Sequence, residues 1–138
     1  MTTADDSARP RLVTVAPQFL VTDVRKSAEW YRDKLGFEIG PYFEEPPVFA
    51  ILRRDEIRLM LSLAEGSRGG SNRSHKGVAI DCYVWVDSID QLYAEFKQRG
   101  ANVTLGPTNR FYGLREIEVT DPDGYLLCFG APLQPQST

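Results

Sequence analysis

A single histidine, two cysteines and no apolar run near the roughly 20 residues of a membrane helix set the first limits on this chain. One imidazole cannot supply a two-histidine, one-carboxylate iron site within a chain. Cys82 and Cys128 form no CxxC pair and no disulfide-rich pattern, so nothing asks for an oxidising compartment and both are read as reduced. Positive charge is not in excess. With 16 Lys and Arg against 19 Asp and Glu the net charge is -3, and there is neither a basic stripe to follow a phosphate backbone nor a polybasic cluster to hold a membrane surface. Nucleic acid and membrane are therefore not the expected partners. No GxxxxGK(S/T) loop or strand-anchored GxGxxG occurs, so no phosphate cradle is expected. The opening stretch MTTADDSARPRL lacks the apolar core of a secretory signal, which predicts a cytoplasmic location.

What is present is an ordinary globular balance, 42% hydrophobic and 25% charged, in a length that predicts one domain with one core. Residues 1–11 are polar and expected to fray; the domain is expected over 12–131, with a tail at 132–138. Residues 13–21, rich in β-branched and aromatic side chains, predict a strand that Pro17 places at an edge or a bend. Asp23 is placed to cap a helix whose apolar positions Val24, Ala28, Tyr31 and Leu35 share one face before Gly36 stops it. Strands are predicted next at 37–43, 48–53 and 57–63, separated by the turn formers EEPP and RRDE. The Gly, Ser and charge-rich segment 64–77 reads as a flexible linker. It carries His75, and a lone loop histidine is ordinarily just solvated.

After the linker the pattern returns. A strand is predicted over 78–86, Ser88 and Gln91 stand in capping-box spacing, and Ile89, Leu92, Tyr93 and Phe96 form the apolar face of a helix ending at Gly100. NVTL, LREIEV and, after a DPDG turn, YLLCFG supply three more strands. At an offset of 65, Val21 falls on Val86, Val24 on Ile89, Ala28 on Tyr93 and Tyr31 on Phe96, while Gly36 and Gly100 are 64 apart. The chain reads as a duplication of one strand-helix-strand-strand-strand unit, over about 12–63 and 78–131.

Strand alternation sorts the residues into two surfaces. Ile57, Leu59, Leu61, Leu63, Ile80, Cys82, Val84, Val86, Ile117, Val119, Leu127 and Phe129 share the parity expected to face the helices. Burying each is worth roughly 1.5–3 kcal/mol before entropy is subtracted, which fixes register. The opposite parity carries Gln18, Arg58, Met60, Ser62, Asp81, Tyr83, Trp85, Glu116, Glu118 and Cys128. Aromatic area beside sulfur and placed charge suits a small-molecule cleft better than a plain solvent face. Trp85 can alternatively cap the core edge or fill a subunit interface. Cys82 lies on the core parity and Cys128 has no histidine in the strands to activate it, so both read as packing residues rather than nucleophiles.

The stretch PQFLVTDVRKSAEWYRDKLGF resembles the start of vicinal-oxygen-chelate proteins, the glyoxalase, bleomycin-resistance and extradiol dioxygenase group. YVWVDSIDQLYAEFKQRGANV with YGLREIEVTDPDGYLLCF is similar to the bleomycin-resistance branch, and the likeness covers about residues 13–131. The resemblance implies an α+β fold of two tandem βαβββ modules whose mixed sheet curls around a cleft, usually completed by a second subunit in a homodimer. Metal-using members place four His, Gln or Glu ligands on the inner face, and by alignment of strands and turns those places fall here on Ala16, Met60, Asp81 and Cys128. Ala16 has no donor and Met60 offers only a soft thioether, so neither metal nor cofactor is expected. A site made of Asp81, Cys128 and Glu116 would lack the four committed ligands of structural zinc.

The resemblance and the inner-face residues together predict metal-independent binding of a small aromatic or cationic molecule, as in drug-sequestering bleomycin resistance proteins. Trp85, Tyr83, Tyr112, Phe111 and Phe49 would stack on planar rings, and Asp81, Glu116 and Glu118 would attract positive charge. Gln18, Arg58, Met60 and Cys128 complete the expected wall. Arg58 and Arg115 are expected to pair with Glu116 or Glu118 across the sheet, with receipt of an anionic ligand group as the other use. Pro17 matches the proline beside an N-terminal strand exchanged between subunits in that branch, or is simply a strand-edge residue. The competing readings are a divergent lyase, isomerase or dioxygenase of the same group, which fold alone does not exclude, and a ligand-poor interaction module.

Overall fold

Both helices begin and end where their caps dictate. Asp23 accepts the Lys26 N–H at 3.0 Å and starts α1 (Val24–Leu35), and Ser88 accepts the Gln91 N–H at 3.3 Å and starts α2 (Ile89–Arg99). Each stops at a glycine in left-handed backbone, Gly36 at φ 76° and Gly100 at φ 78°. The computed structural model describes residues 9–66 and 70–133, so residues 1–8 of the expected frayed start over 1–11, 67–69 of the linker over 64–77 and 134–138 of the tail over 132–138 lie outside the described residues.

Two separate four-stranded sheets flank these helices. β1 (Gln18–Val21), β2 (Glu38–Ile39), β3 (Phe49–Arg54) and β4 (Ile57–Leu63) lie in the order β1-β4-β3-β2. β5 (Cys82–Trp85), β6 (Val103–Asn109), β7 (Leu114–Thr120) and β8 (Leu126–Pro132) lie in the order β5-β8-β7-β6. In each sheet the strand before the helix runs parallel to the last strand, and the other pairings are antiparallel. The unit βαβββ therefore occurs twice, in an α+β fold. No helix among the described residues is long and apolar enough to cross a membrane.

Several elements depart from the sequence expectation for local reasons. The first strand starts at Gln18 rather than residue 13, since Pro17 has no N–H to offer and contributes only its carbonyl, which accepts from Met60 N at 2.9 Å. Residues 37–43 supply only Glu38–Ile39 and a bridge from Phe43 to Phe49, because the chain leaves the sheet at Glu44, at φ 68°. The strand expected over 78–86 shrinks to Cys82–Trp85, as Ala79 N turns back onto Lys76 O at 2.9 Å. The segment read as a flexible linker holds a 3-10 turn, Asn72–Ser74, whose N–H groups are capped by Ser71 Oγ and Asp81.

The core lies between sheets and helices. Leu59, Leu61, Val84, Ile117, Val119, Leu127 and Phe129 are buried as their parity predicts, against Tyr31 and Phe96 from the helices. Leu63 departs from the pattern: it is the last residue of β4, where the sheet ends, and it is 38% exposed. Ile57, Ile80, Cys82 and Val86 are only partly buried.

A tyrosine plugs one junction between the modules. Tyr125, from the β7–β8 connection, stacks on Phe19 with centroids 4.4 Å apart. Its hydroxyl donates to Leu20 O at 2.8 Å and accepts from Leu20 N at 3.2 Å, so a phenol satisfies the open edge of β1 as a strand would. Beside it Tyr31 donates to the buried Asp121, and Thr22 and Ser27 donate to Asp123.

Candidate functional site

The pleat that sends Phe19, Leu59 and Leu61 into the core sends their neighbours to the other face. On the first sheet these form cross-strand rows: Gln18 opposite Met60 opposite Ile51, Leu20 opposite Ser62 opposite Phe49, and Arg58 opposite Arg53. Leu20 is 39% and Ile51 38% exposed, an apolar face in contact with water. On the second sheet, Tyr83, Cys128 and Glu118 make one row and Trp85, Gly130 and Glu116 the next.

Glu116 is the hub of the second sheet. Tyr83 Oη donates to it at 2.8 Å, Tyr112 Oη at 2.8 Å and Arg110 Nε at 3.0 Å. Tyr83 reaches out of its own row only because Gly130 has no side chain, since a Cβ there would collide with the Tyr83 hydroxyl. Arg110 and Tyr112 arrive from the β6–β7 hairpin, which closes through Gly113 at φ 90° with Arg110 N donating to Leu114 O at 2.7 Å. Burial pushes the Glu116 carboxyl up, but the bonds from Tyr83, Tyr112 and Arg110 outweigh it and hold the group below the usual carboxylate range. Burial, and then the bond to Glu116, push the Tyr83 phenol far above its ordinary value, so it stays a donor. Arg73 and Arg110 stand 3.3 and 3.7 Å from Glu118. Trp85 leans on Tyr83 with ring centroids 4.5 Å apart, and it is 66% exposed.

The Glyoxalase/Bleomycin resistance protein/Dioxygenase superfamily pattern matches residues 11–129. The chain belongs to this superfamily. A bleomycin resistance protein from Geobacillus stearothermophilus is 32% identical over 126 residues, covering 82% of this chain and 92% of that one; a bleomycin resistance protein from Staphylococcus aureus matches to the same extent. A glyoxalase/bleomycin resistance protein/dioxygenase from Alicyclobacillus acidocaldarius superposes with a TM-score of 0.71 at 19% identity, over 88% of this chain and 92% of that one. TioX from Micromonospora sp. ML1 does so with a TM-score of 0.68 at 20% identity, over 87% and 98%. At those identities the structures share the fold alone.

For a superfamily whose name includes glyoxalases, the donor set here does not fit a metal ion. Of the four positions that the sequence resemblance points to as metal ligands, Ala16 offers no donor and Met60 only sulfur. Both oxygens of Asp81 are bonded, to Asn72 N at 2.7 Å and to Leu126 N at 2.8 Å. The buried Cys128 thiol is pushed up to about 12, first by burial and then by Glu116 and Glu118. Among the described residues, no three His, Cys, Asp or Glu are grouped to hold an ion.

The residues singled out in the sequence fall into distinct places. Tyr83, Trp85, Tyr112, Glu116, Glu118 and Cys128 come together on the second sheet, and Gln18, Phe49, Arg58 and Met60 on the first. No hydrogen bond or ion pair among the described residues joins the two sets. Phe111 sits fully exposed at the hairpin tip, edge-on to Tyr112. Asp81 anchors the chain ahead of β5, a structural task that leaves neither oxygen unbonded.

The expected pairing of Arg58 or Arg115 with the glutamates is corrected. Arg115 bonds Asp90 at 3.0 Å and Asn109 at 2.7 Å, and Arg58 lies on the other sheet opposite Arg53. Arg110 and Arg73 hold the glutamates instead. Of the residues that sequence reasoning missed, Arg110 carries a signal, adjoining the aromatic pair in a turn that ends in Gly113. Arg73 and Gly130 carry none, for their partners are distant in sequence.

Proposed function

We propose that this protein binds a small planar aromatic molecule without a metal, in a cleft walled by the second sheet of one copy and closed by the first sheet of another. The observation that carries this reading is the tilted Tyr83–Trp85 pair, a stacking surface with the Tyr83 hydroxyl locked onto Glu116 and the indole largely open. A rigid aromatic wall costs little conformational entropy when a ring settles on it. Relatives named bleomycin resistance proteins support a drug-like ligand. The separation of the two inner faces within one chain, with Leu20 and Ile51 exposed, supports closure by a second copy.

Stacking, not net charge, does the recognising. Arg110 and Arg73 already match Glu116 and Glu118, and Arg53 and Arg58 add positive charge on the first sheet. A cationic ligand therefore gains less here than the bare carboxylates suggest.

Titration with bleomycin, followed by tryptophan fluorescence, tests the reading. Saturable quenching is expected, unchanged by EDTA and mostly lost in Trp85→Ala, with Trp30 as the residual signal. Binding that disappears with EDTA, or that Trp85→Ala leaves intact, sinks the proposal.

A further inference from the structure

The internal repeat builds two junctions between the modules, and Tyr125 plugs one of them. The residues that receive Tyr125 and its turn are Phe19, Leu20, Thr22, Ser27 and Tyr31. Moved by the repeat offset of 65 they become Val84, Trp85, Asp87, Leu92 and Phe96. All five line a cavity of about 580 Å³, closed on its other side by the β3–β4 turn and the end of α1. The second junction thus has its walls at the equivalent positions but, among the described residues, no plug.

The turn lengths give the reason. Between paired Thr120 and Leu126 the β7–β8 connection has five residues, 121–125, and the last is the tyrosine. Between paired Arg54 and Ile57 the β3–β4 connection has only Asp55 and Glu56. The shorter turn carries no ring to the site.

The backbone supplies matching polar groups. β5 is an edge strand whose Val86 N–H donates to Gly130 O at 2.8 Å, so alternation places the N–H and C=O of Trp85 on the open side. The corresponding pair on β1 belongs to Leu20, and one phenol hydroxyl satisfies both groups there. A hydroxyl is both donor and acceptor, and Leu35, Leu92, Phe96 and Phe129 provide apolar surface for a ring. The volume lies within the roughly 300–1,000 Å³ usual for small-molecule sites.

We propose that this cavity is a second small-molecule site, distinct from the cleft although Trp85 borders both, that takes an uncharged phenol in the place Tyr125 fills at the other junction. Its polar contacts with the phenol are the main-chain groups of Trp85, and its walls combine the repeat equivalents of the tyrosine socket with polar side chains that include Arg54, Gln91 and Glu95.

p-Cresol, the free equivalent of a tyrosine side chain, is the probe, added to the full chain and followed by methyl NMR. Shifts are expected at the methyls of Val84 and Leu92, with NOEs to Phe96 and no shift at the Met60 methyl. p-Cresol should bind about fivefold more tightly than toluene, the effect of one net hydrogen bond. Leu92→Phe, which fills the cavity, should abolish the shift at the Val84 methyls, and Leu92→Met, of similar volume, should keep it. Should Leu92→Phe fail to fold, the comparison with toluene decides. The proposal is overturned if toluene binds as well as p-cresol or if shifts appear only at cleft residues such as Met60. It is equally overturned if Val84 and Leu92 respond to protein dilution and not to p-cresol, because a second copy then covers the cavity.

Discussion

Tyr31 donates its hydroxyl to the buried Asp121 at 2.6 Å, and this bond ties the helix of the first module to the last turn of the second. Phe96 occupies the matching place in the second module, so the ring packs there without a hydroxyl and the bond is a separate contribution. Tyr31→Phe is expected to destabilise the protein by roughly 1–3 kcal/mol, the cost of removing a partner from a buried polar group. Urea unfolding measures it, and a midpoint equal to that of the parent chain would show that the bond adds nothing.

The same aspartate sets a pH dependence. Burial pushes the Asp121 carboxyl up to about 6, against the pull of its bonds from Tyr31, Tyr125 N and Asp123 N; an ordinary aspartate stands at 3.8. Between those values the native state keeps a proton that the unfolded chain has lost. This group's stabilising contribution is therefore complete below about pH 4 and is lost as pH rises through 6, by roughly 3 kcal/mol in all. Glu116, held below the ordinary range, acts in the opposite sense and at lower pH: its contribution is present above that range and lost as pH falls. Urea midpoints from pH 4 to 7 should fall in the parent chain and stay nearly level in Asp121→Asn, while carbon NMR should find Asp121 titrating near 6. Equal slopes in the two proteins would refute the assignment.

The helix limits and the repeat are legible in the sequence because their causes are local. Asp23 and Ser88 act on N–H groups three residues away, and Gly36 and Gly100 act through their own backbone. The two-faced strands are legible for the same reason, since alternation is a property of neighbours. The site is less so. Asp81 has the parity of a cleft carboxylate, yet its oxygens hold amides from Asn72 and from Leu126, which is 45 residues on. Gly130 reads as an ordinary strand glycine until Tyr83 is seen crossing it. The arginine that answers Glu116 is chosen by a hairpin turn, not by its place in a strand pattern.

Gly130→Ala puts that crossing to the test. The added methyl takes the place of the Tyr83 hydroxyl and must drive the ring off Glu116. Overpacking of this kind costs roughly 1–3 kcal/mol. Near-UV circular dichroism of the Tyr83–Trp85 pair should change, and the quenching of Trp85 by bleomycin should weaken at protein concentrations where the variant is fully folded. Tyr83→Phe, which fits beneath Trp85 without the hydroxyl, should retain more of the stacking. An unchanged titration in Gly130→Ala would mean that Tyr83 does not need its present position to form the aromatic wall.

Ile51 separates the fold of one chain from the closure of the cleft. It stands opposite Met60 on the inner face of the first sheet and is 38% exposed, so a polar side chain there costs one isolated chain little. In a homodimer whose cleft it helps to close, the same carboxylate would be desolvated against the second copy, a cost that Arg53, two residues along the same face, offsets only in part. Ile51→Asp should therefore sediment as a folded monomer where the parent chain sediments as a dimer, and its affinity for bleomycin should fall with the loss of the second wall. A parent chain that sediments as a monomer at concentrations where it binds would remove the need for a second copy, because one sheet alone would then be holding the ligand.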